Sequence, residues 1–340
     1  VKRFAYFPRR WESLAEEAIV PQLGRRPWLW LQAILLTLCM FFAALRQGWR
    51  ERPHVIHAQW LLPAGLVAFL LRAVLRTPYV VTSQGADAFR LESTPLRWVK
   101  HRIVDSAGLF VGVSDEISQR YRSRAKTTVI TQPSGIDFDF WEHSVQRSPD
   151  GATVLFVGRL AAKKGVGTAI RALAGLDRAR LRIVGDGPER SRLEALAEEI
   201  GVQERVTFLG RRNHQQVSEE FGRATCILIP SVTAPDGDRD GTPNVLGEAV
   251  AAGVPVVASR IAGLEELVHH GSTGLLHQPG DPEELATCLR RILEDPAFGN
   301  RLAREAKLRL RDTLDLRRVA DRYAGWYLEV GRLAQERADG

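Results

Sequence analysis

Residues 154–165 read VLFVGRLAAKKG: four apolar residues, then Gly158 and Arg159, then Lys163-Lys164 and Gly165. A short apolar run closed by glycine predicts a buried strand ending in a tight turn. Glycine there lets backbone approach a ligand. Arg159 and Lys164 can converge on one anion, and a guanidinium fork beside an ammonium point charge suits a diphosphate. The order of Gly, Lys and hydroxyl residues is not that of a P-loop. Taken alone, the stretch fits a solvated basic turn equally well.

The pattern repeats outward from this point. Strands are expected at 181–184, 206–209, 226–230 and 254–258, with helices at 167–176, 188–200 and 245–252, and helix thereafter to about residue 335. Upstream, 55–58, 78–82, 109–113 and 129–130 read as strands, 64–76 as a helix, and Ser114 as the N-cap of another. Strand–helix alternation of this kind implies parallel α/β sheets. The polar stretch 142–152 (EHSVQRSPDGA) reads as the linker between two doubly wound units. That division suits 340 residues at roughly 100–200 per domain. In such sheets ligands sit beyond the carboxyl ends of the strands.

Two further motifs fall at strand ends. Val184-Gly185-Asp186-Gly187-Pro188-Glu189 is a tight strand–helix turn. Residues 235–253 (PDGDRDGTPNVLGEAVAAG) carry Asp240 and Glu248, with Gly241-Thr242-Pro243-Asn244 leading into a helix whose free amides form an anion site. A carboxylate such as Glu248 there suits ribose hydroxyls better than phosphate. Asp236-Gly237-Asp238 looks metal-like but reads better as solvated loop.

Composition sets the frame. A hydrophobic fraction of 45% and a charged fraction of 26% exclude a disordered chain, a collagen-like repeat and a disulfide scaffold. The net charge is +7, and all but six of the 47 basic residues are Arg, which favours anionic partners. Arginines do not cluster beside an aromatic platform, so nucleic acid is not expected. Cys39, Cys226 and Cys288 have no metal spacing and read as structural thiols of a reducing compartment. Residues 28–45 (WLWLQAILLTLCMFFAAL) are uncharged and flanked by Arg25, Arg26 and Arg46. Their length is marginal for a membrane span. The expectation is a helix in or along a domain, with basic flanks suited to an anionic membrane face.

The ordered set VGRLAAKKG, VGDGPE, VTFLG, acidic-x7-Glu, EAVAAGVPVVAS and STGLLHQPGDPEEL resembles family 4 of the retaining glycosyltransferases. IHAQWLLPAGLVA, TSQGAD, LFVGVSDEI and PSGID in the first half match too, so the resemblance spans about residues 53–330. SVTAPDGDRDGTPNVLGEA is similar to members that build capsular or exported polysaccharides. The resemblance implies the GT-B fold: two Rossmann-like domains facing a central cleft. They would be 1–148 on the acceptor side and 149–315 for the nucleotide-sugar, with a 316–340 helix crossing back to the first.

The same resemblance assigns roles. Arg159 and Lys164 would hold the donor diphosphate and stabilise its departure, Glu248 would bind ribose, and Asp240, where the family usually has Glu, would touch the donor sugar. Gly158, Gly210, Gly241, Thr242, Asn244 and Val245 would complete the donor site, with Gly210 near the base. In the first domain Gln84 stands where the family usually has a sugar-contacting His, and His57 and Asp87 lie on the acceptor side. The implied enzyme is a retaining, metal-independent hexosyltransferase with no cofactor beyond a UDP- or GDP-linked donor. Its acceptor would be a glycan or polyprenyl-diphosphate-linked intermediate, and its location cytoplasmic, at the inner face of a bacterial plasma membrane. The family's first strand and glycine-rich acceptor loop have no counterpart here, which reads as a chain beginning inside the first domain. Together with Gln84, this gives an alternative reading: an inactive nucleotide-sugar-binding or scaffold protein, or a fragment of such an enzyme. A nucleotide-sugar epimerase of the same fold would need acid–base groups that no motif supplies.

Overall fold

The computed structural model describes residues 4–8, 28–90, 93–235 and 237–339. The chain forms two compact units, one of Val1–Gln132 with Arg322–Gly340 and one of Pro133–Asp321.

In the first unit β1 (Ile56–Gln59), β2 (Tyr79–Ser83), β3 (Leu109–Gly112) and β4 (Thr128–Thr131) pair in that order, all parallel. Right-handed crossovers that always step the same way place their helices on one face of a sheet. Tyr79, Val81 and Phe110 pack in the core on that face. Their alternates Val80, Leu109 and Val111 meet Val330, Tyr323, Trp326 and Tyr327 of the Leu316–Asp339 helix. The C-terminal helix therefore covers the face that the crossovers leave bare.

The apolar run at 28–45 becomes the Leu29–Glu51 helix. It docks through Leu45 on Val67 and Leu71 of the Leu66–Leu75 helix. Its other face stays in solvent, with Leu31, Leu38, Phe42 and Trp49 between 47% and 63% exposed. Among the described residues it is the one helix long and apolar enough to cross a membrane.

In the second unit β5 (Thr153–Val157), β6 (Arg180–Val184), β7 (Val206–Gly210), β8 (Cys226–Ile229), β9 (Val256–Ser259) and β10 (Leu275–His277) form one parallel sheet, ordered β10-β9-β8-β5-β6-β7. Both faces are buried: Val154, Phe156, Leu181 and Leu228 point one way, Leu155, Val184, Ile227 and Ile229 the other. The strand order reverses between β5 and β8, the position at which doubly wound sheets bind ligands.

The division between units falls at Gln132–Pro133, not in the polar stretch 142–152. Asp137 caps the Phe138–Ser144 helix by accepting from the Phe140 amide at 3.0 Å. Phe138 and Trp141 are buried in the second core, with the Trp141 ring 4.7 Å from that of Phe221. Arg147 donates to the Phe221 and Ala224 carbonyls at 2.8 and 2.7 Å, so the polar stretch is tied down rather than linking. Trp141→Ala is expected to cost about 3–5 kcal/mol, read as a lowered denaturant midpoint.

Candidate active site

The carboxyl ends of β5, β6 and β7 are drawn together by backbone bonds. Gly158 donates to the Val184 carbonyl at 3.0 Å and Gly185 to that of Gly210 at 2.8 Å. Gly185 has φ +134°, and a Cβ there would lie 1.9 Å from the Gly158 oxygen. Gly165, at φ +61°, meets the Pro230 carbonyl in the same way. Any side chain at either position would push the turns apart. The loop after β8 consequently lies on the loop after β5, and the Val232 amide donates to the Lys163 carbonyl at 2.8 Å.

That contact brings the basic and acidic motifs together. Lys164 Nζ lies 2.8 Å from Asp240 Oδ2, and Lys163 Nζ 3.4 Å from Asp240 Oδ1 and 3.3 Å from Asp238. The Ser231 hydroxyl donates to Asp240 Oδ2 at 2.9 Å. Burial of Asp240 opposes its ionisation, but the charges of Lys164 and Lys163, with hydrogen bonds from Lys164 and Ser231, outweigh it and hold the carboxyl below its ordinary range. Asp240 thus anchors Lys164, a partnership that the sequence reading, which aimed it at the sugar, did not anticipate. Lys163 and Ser231 are further members that the reading missed; the doubled lysine was the available signal. Arg159 stands on the same loop, half-buried.

Glu248 is the opposite case. It sits in the Asn244–Ala252 helix, which begins after Pro243 with no side-chain cap over its first amides. Burial pushes the Glu248 carboxyl up to about 7. Among the described residues no cation or donor satisfies it. A half-buried carboxylate without a partner, one turn from the uncapped amides of Asn244 and Val245, is arranged for a ligand that brings hydroxyls and negative charge. Thr242 turns its hydroxyl to the Gly263 carbonyl at 3.4 Å, and Gly241 is packed against Gly263. Gly210 takes φ +67° at the end of β7. Asp238 is committed to Lys163, Asp236 lies outside the described residues, and no group of three potential metal ligands occurs among the described residues.

His57, Gln84 and Asp87 belong to the first unit. Asp87 is buried, with Oδ1 accepting from the Gln84 and Gly85 amides at 3.0 Å and Oδ2 from the Leu61 amide at 2.9 Å. Those three bonds make it a clamp for the turn after β2 rather than an acceptor contact. His57 lies between Thr82 and Tyr327, and burial lowers its pKa to about 4, so it is neutral.

Residues 137–309 match the family described as glycosyl transferases group 1, and residues 5–131 match the glycosyl transferase 4-like domain. The chain belongs to the group 1 glycosyltransferases. A glycogen synthase of Mycobacterium tuberculosis is 34% identical over 327 residues, covering 87% of this chain and 76% of that protein. A putative colanic acid biosynthesis glycosyltransferase, WcaL of Salmonella typhimurium, is 31% identical over 237 residues, covering 67% and 58%. Anabaena HepE, solved in complex with UDP-glucose, superposes with a TM-score of 0.69 at 22% identity, covering 96% of this chain and 90% of that one. Two parallel-sheet Rossmann-like units are thus those of a GT-B glycosyltransferase, the fold that the sequence motifs implied.

Proposed function

We propose that the chain moves a sugar with retention of configuration from a UDP-sugar to a glycan or lipid-linked acceptor during polysaccharide synthesis. The observation that carries this reading is the pairing, at one switch point, of an anchored cation, Lys164, with an unsatisfied carboxylate, Glu248. A nucleoside diphosphate needs both: cations for the diphosphate and an acceptor for ribose hydroxyls. The UDP-glucose bound by HepE and the polymers named for the glycogen and colanic acid relatives support the choice of substrates.

In this mechanism Arg159, Lys164 and the amides of Asn244 and Val245 stabilise charge as it gathers on the leaving diphosphate. The bond from the anomeric carbon to the phosphate oxygen breaks. The acceptor hydroxyl forms its bond on the same face and passes its proton to the departing phosphate. The protein supplies position and electrostatic complementarity without a covalent intermediate or a metal. Asp240 fixes Lys164 in place. Turnover of UDP-, GDP- and ADP-sugars with bacterial membrane extract tests the reading. Binding of a donor with no turnover would favour the alternative of an inactive sugar-nucleotide-binding protein.

The acceptor reading extends to a membrane surface at the cytoplasmic face. Leu31, Leu38, Phe42 and Trp49 present apolar side chains to solvent, with Arg46 and Arg50 exposed beside them. Such a face inserts shallowly and pairs its cations with anionic headgroups. Flotation with anionic liposomes is expected to carry the protein at low salt and to lose it at high salt. Protein left behind by anionic liposomes at low salt would contradict the membrane reading.

A further inference from the structure

The amino ends of β2, β3 and β4 border a cavity of about 290 Å³ in the first unit. Val330 and Leu333 of the Leu316–Asp339 helix form its apolar wall. Doubly wound sheets bind ligands beyond their carboxyl ends, so this cavity lies at the opposite end from the sequence motifs. Among the described residues that line it, Asp105 is the one acid, against the bases Arg72, Arg76 and Lys126.

Two helices, Leu66–Leu75 and Thr94–Ser106, end here, and bare helix carbonyls draw cations. Arg72 is used in that way: its guanidinium donates to the Ser106 carbonyl. Asp105 accepts from the Lys126 amide at 3.2 Å, and the Thr127 hydroxyl donates to the Ala107 carbonyl at 2.9 Å. Arg76, Lys126 and Thr128 also line the cavity. Among the described residues their side chains have no hydrogen-bond or ion-pair partner.

Arg76 is the more telling of these. It closes the Leu66–Leu75 helix at φ +57° and ψ +13°, the left-handed conformation at which helices ordinarily place glycine. A side chain there carries a backbone cost, and no contact of the guanidinium offsets it. Residues held in such conformations cluster at ligand sites. Strands about 4.8 Å apart set the amino ends of β2 and β4 about 10 Å apart. Arg76 before β2 and Lys126 before β4 therefore reach toward one another across the cavity. A guanidinium fork, an ammonium and a hydroxyl can all donate, and a phosphate group accepts from all three. A cavity of about 290 Å³ is at the lower bound of small-molecule sites, which suits a phosphate on a short substituent rather than a nucleotide.

We propose that Arg76, Lys126 and Thr128 bind the phosphate group of a small monoester or of a lipid headgroup. The site is built from the first unit alone and does not rest on the transferase reading. Leu70 and Val74, 40% and 50% exposed on the helix that ends at Arg76, make the lipid source worth a separate arm of the test.

That test is calorimetric titration of inorganic phosphate, glycerol 3-phosphate and dihexanoyl phosphatidic acid into the full chain. Binding is expected to persist in Lys164→Met, which weakens the anion site of the second unit, and to fall at least tenfold in Arg76→Gly. Glycine suits the left-handed backbone, so Arg76→Gly should melt no lower than wild type, which separates loss of ligand from loss of fold. Lys126→Met should weaken binding in the same direction. Uptake of inorganic phosphate or glycerol 3-phosphate identifies a soluble ligand, and uptake of phosphatidic acid alone identifies a headgroup. No uptake of any of the three, or uptake unchanged in Arg76→Gly, would overturn the proposal.

Discussion

Lys164→Met is expected to lower kcat by roughly two to three orders of magnitude while the protein stays folded. The lysine ammonium lies on a loop held by glycine contacts that do not involve its side chain, so the variant keeps the backbone of the site. Its charge is most valuable when the diphosphate leaves, which places the loss in turnover more than in donor KM. Asp240 keeps Lys163 as a partner at 3.4 Å and the Ser231 hydroxyl at 2.9 Å, so the buried carboxylate is not abandoned. Asp240→Asn should act in the same direction but more weakly, because it loosens Lys164 without removing it. Steady-state kinetics of the two variants, with circular dichroism as the folding control, checks this. A Lys164→Met enzyme with wild-type kcat would remove the lysine from the mechanism.

Glu248→Gln is expected to weaken UDP affinity by about 10- to 100-fold, the worth of hydrogen bonds to a charged group, and yet to stabilise the free protein. The sign follows from burial. The carboxyl titrates near 7 in the folded chain against an ordinary value of 4.5. Between those values the folded state binds more protons than the unfolded one, so this group makes stability fall as pH rises through the window. The penalty is absent below about pH 4.5 and complete above about pH 7. Thermal melts of Glu248→Gln should match wild type at pH 4 and gain on the order of 1–3 kcal/mol at pH 8. Ribose hydroxyls donate to the ionised form, so wild-type UDP affinity should rise from pH 6 to pH 8 and the variant's should stay flat. Equal melts at pH 8 would mean that the carboxylate already has a partner.

What the sequence discloses depends on the range of the interaction. Most strands were legible because parallel strands buried on both faces are apolar runs closed by Gly or Pro. β10 was not, since Leu275–His277 is shorter than any window of periodicity. The His214–Arg223 helix is largely polar, and only the capping box of Asn213 and Gln216 announces it. The stretch 142–152 misled because polar composition conceals what Arg147 does: two carbonyls at the end of the His214–Arg223 helix hold it. In the site, the residue types of the motifs were visible, because strand ends of a doubly wound sheet are where motifs gather. Partnerships were not. The pairing of Lys164 with Asp240, three bonds closing on Asp87, and the seat of His57 between Thr82 and Tyr327 each join residues distant in sequence or separated by a turn. Such geometry exists only once the sheets are built.

Calorimetric titration of UDP into the wild-type chain and Lys164→Met at pH 8 tests the central claim most directly. A single site in the wild type, clearly weakened in the variant, is the result expected of a nucleotide-sugar site at the β5–β8 switch point. Folded wild-type protein that takes up no UDP, or that binds it unchanged without Lys164, would contradict it.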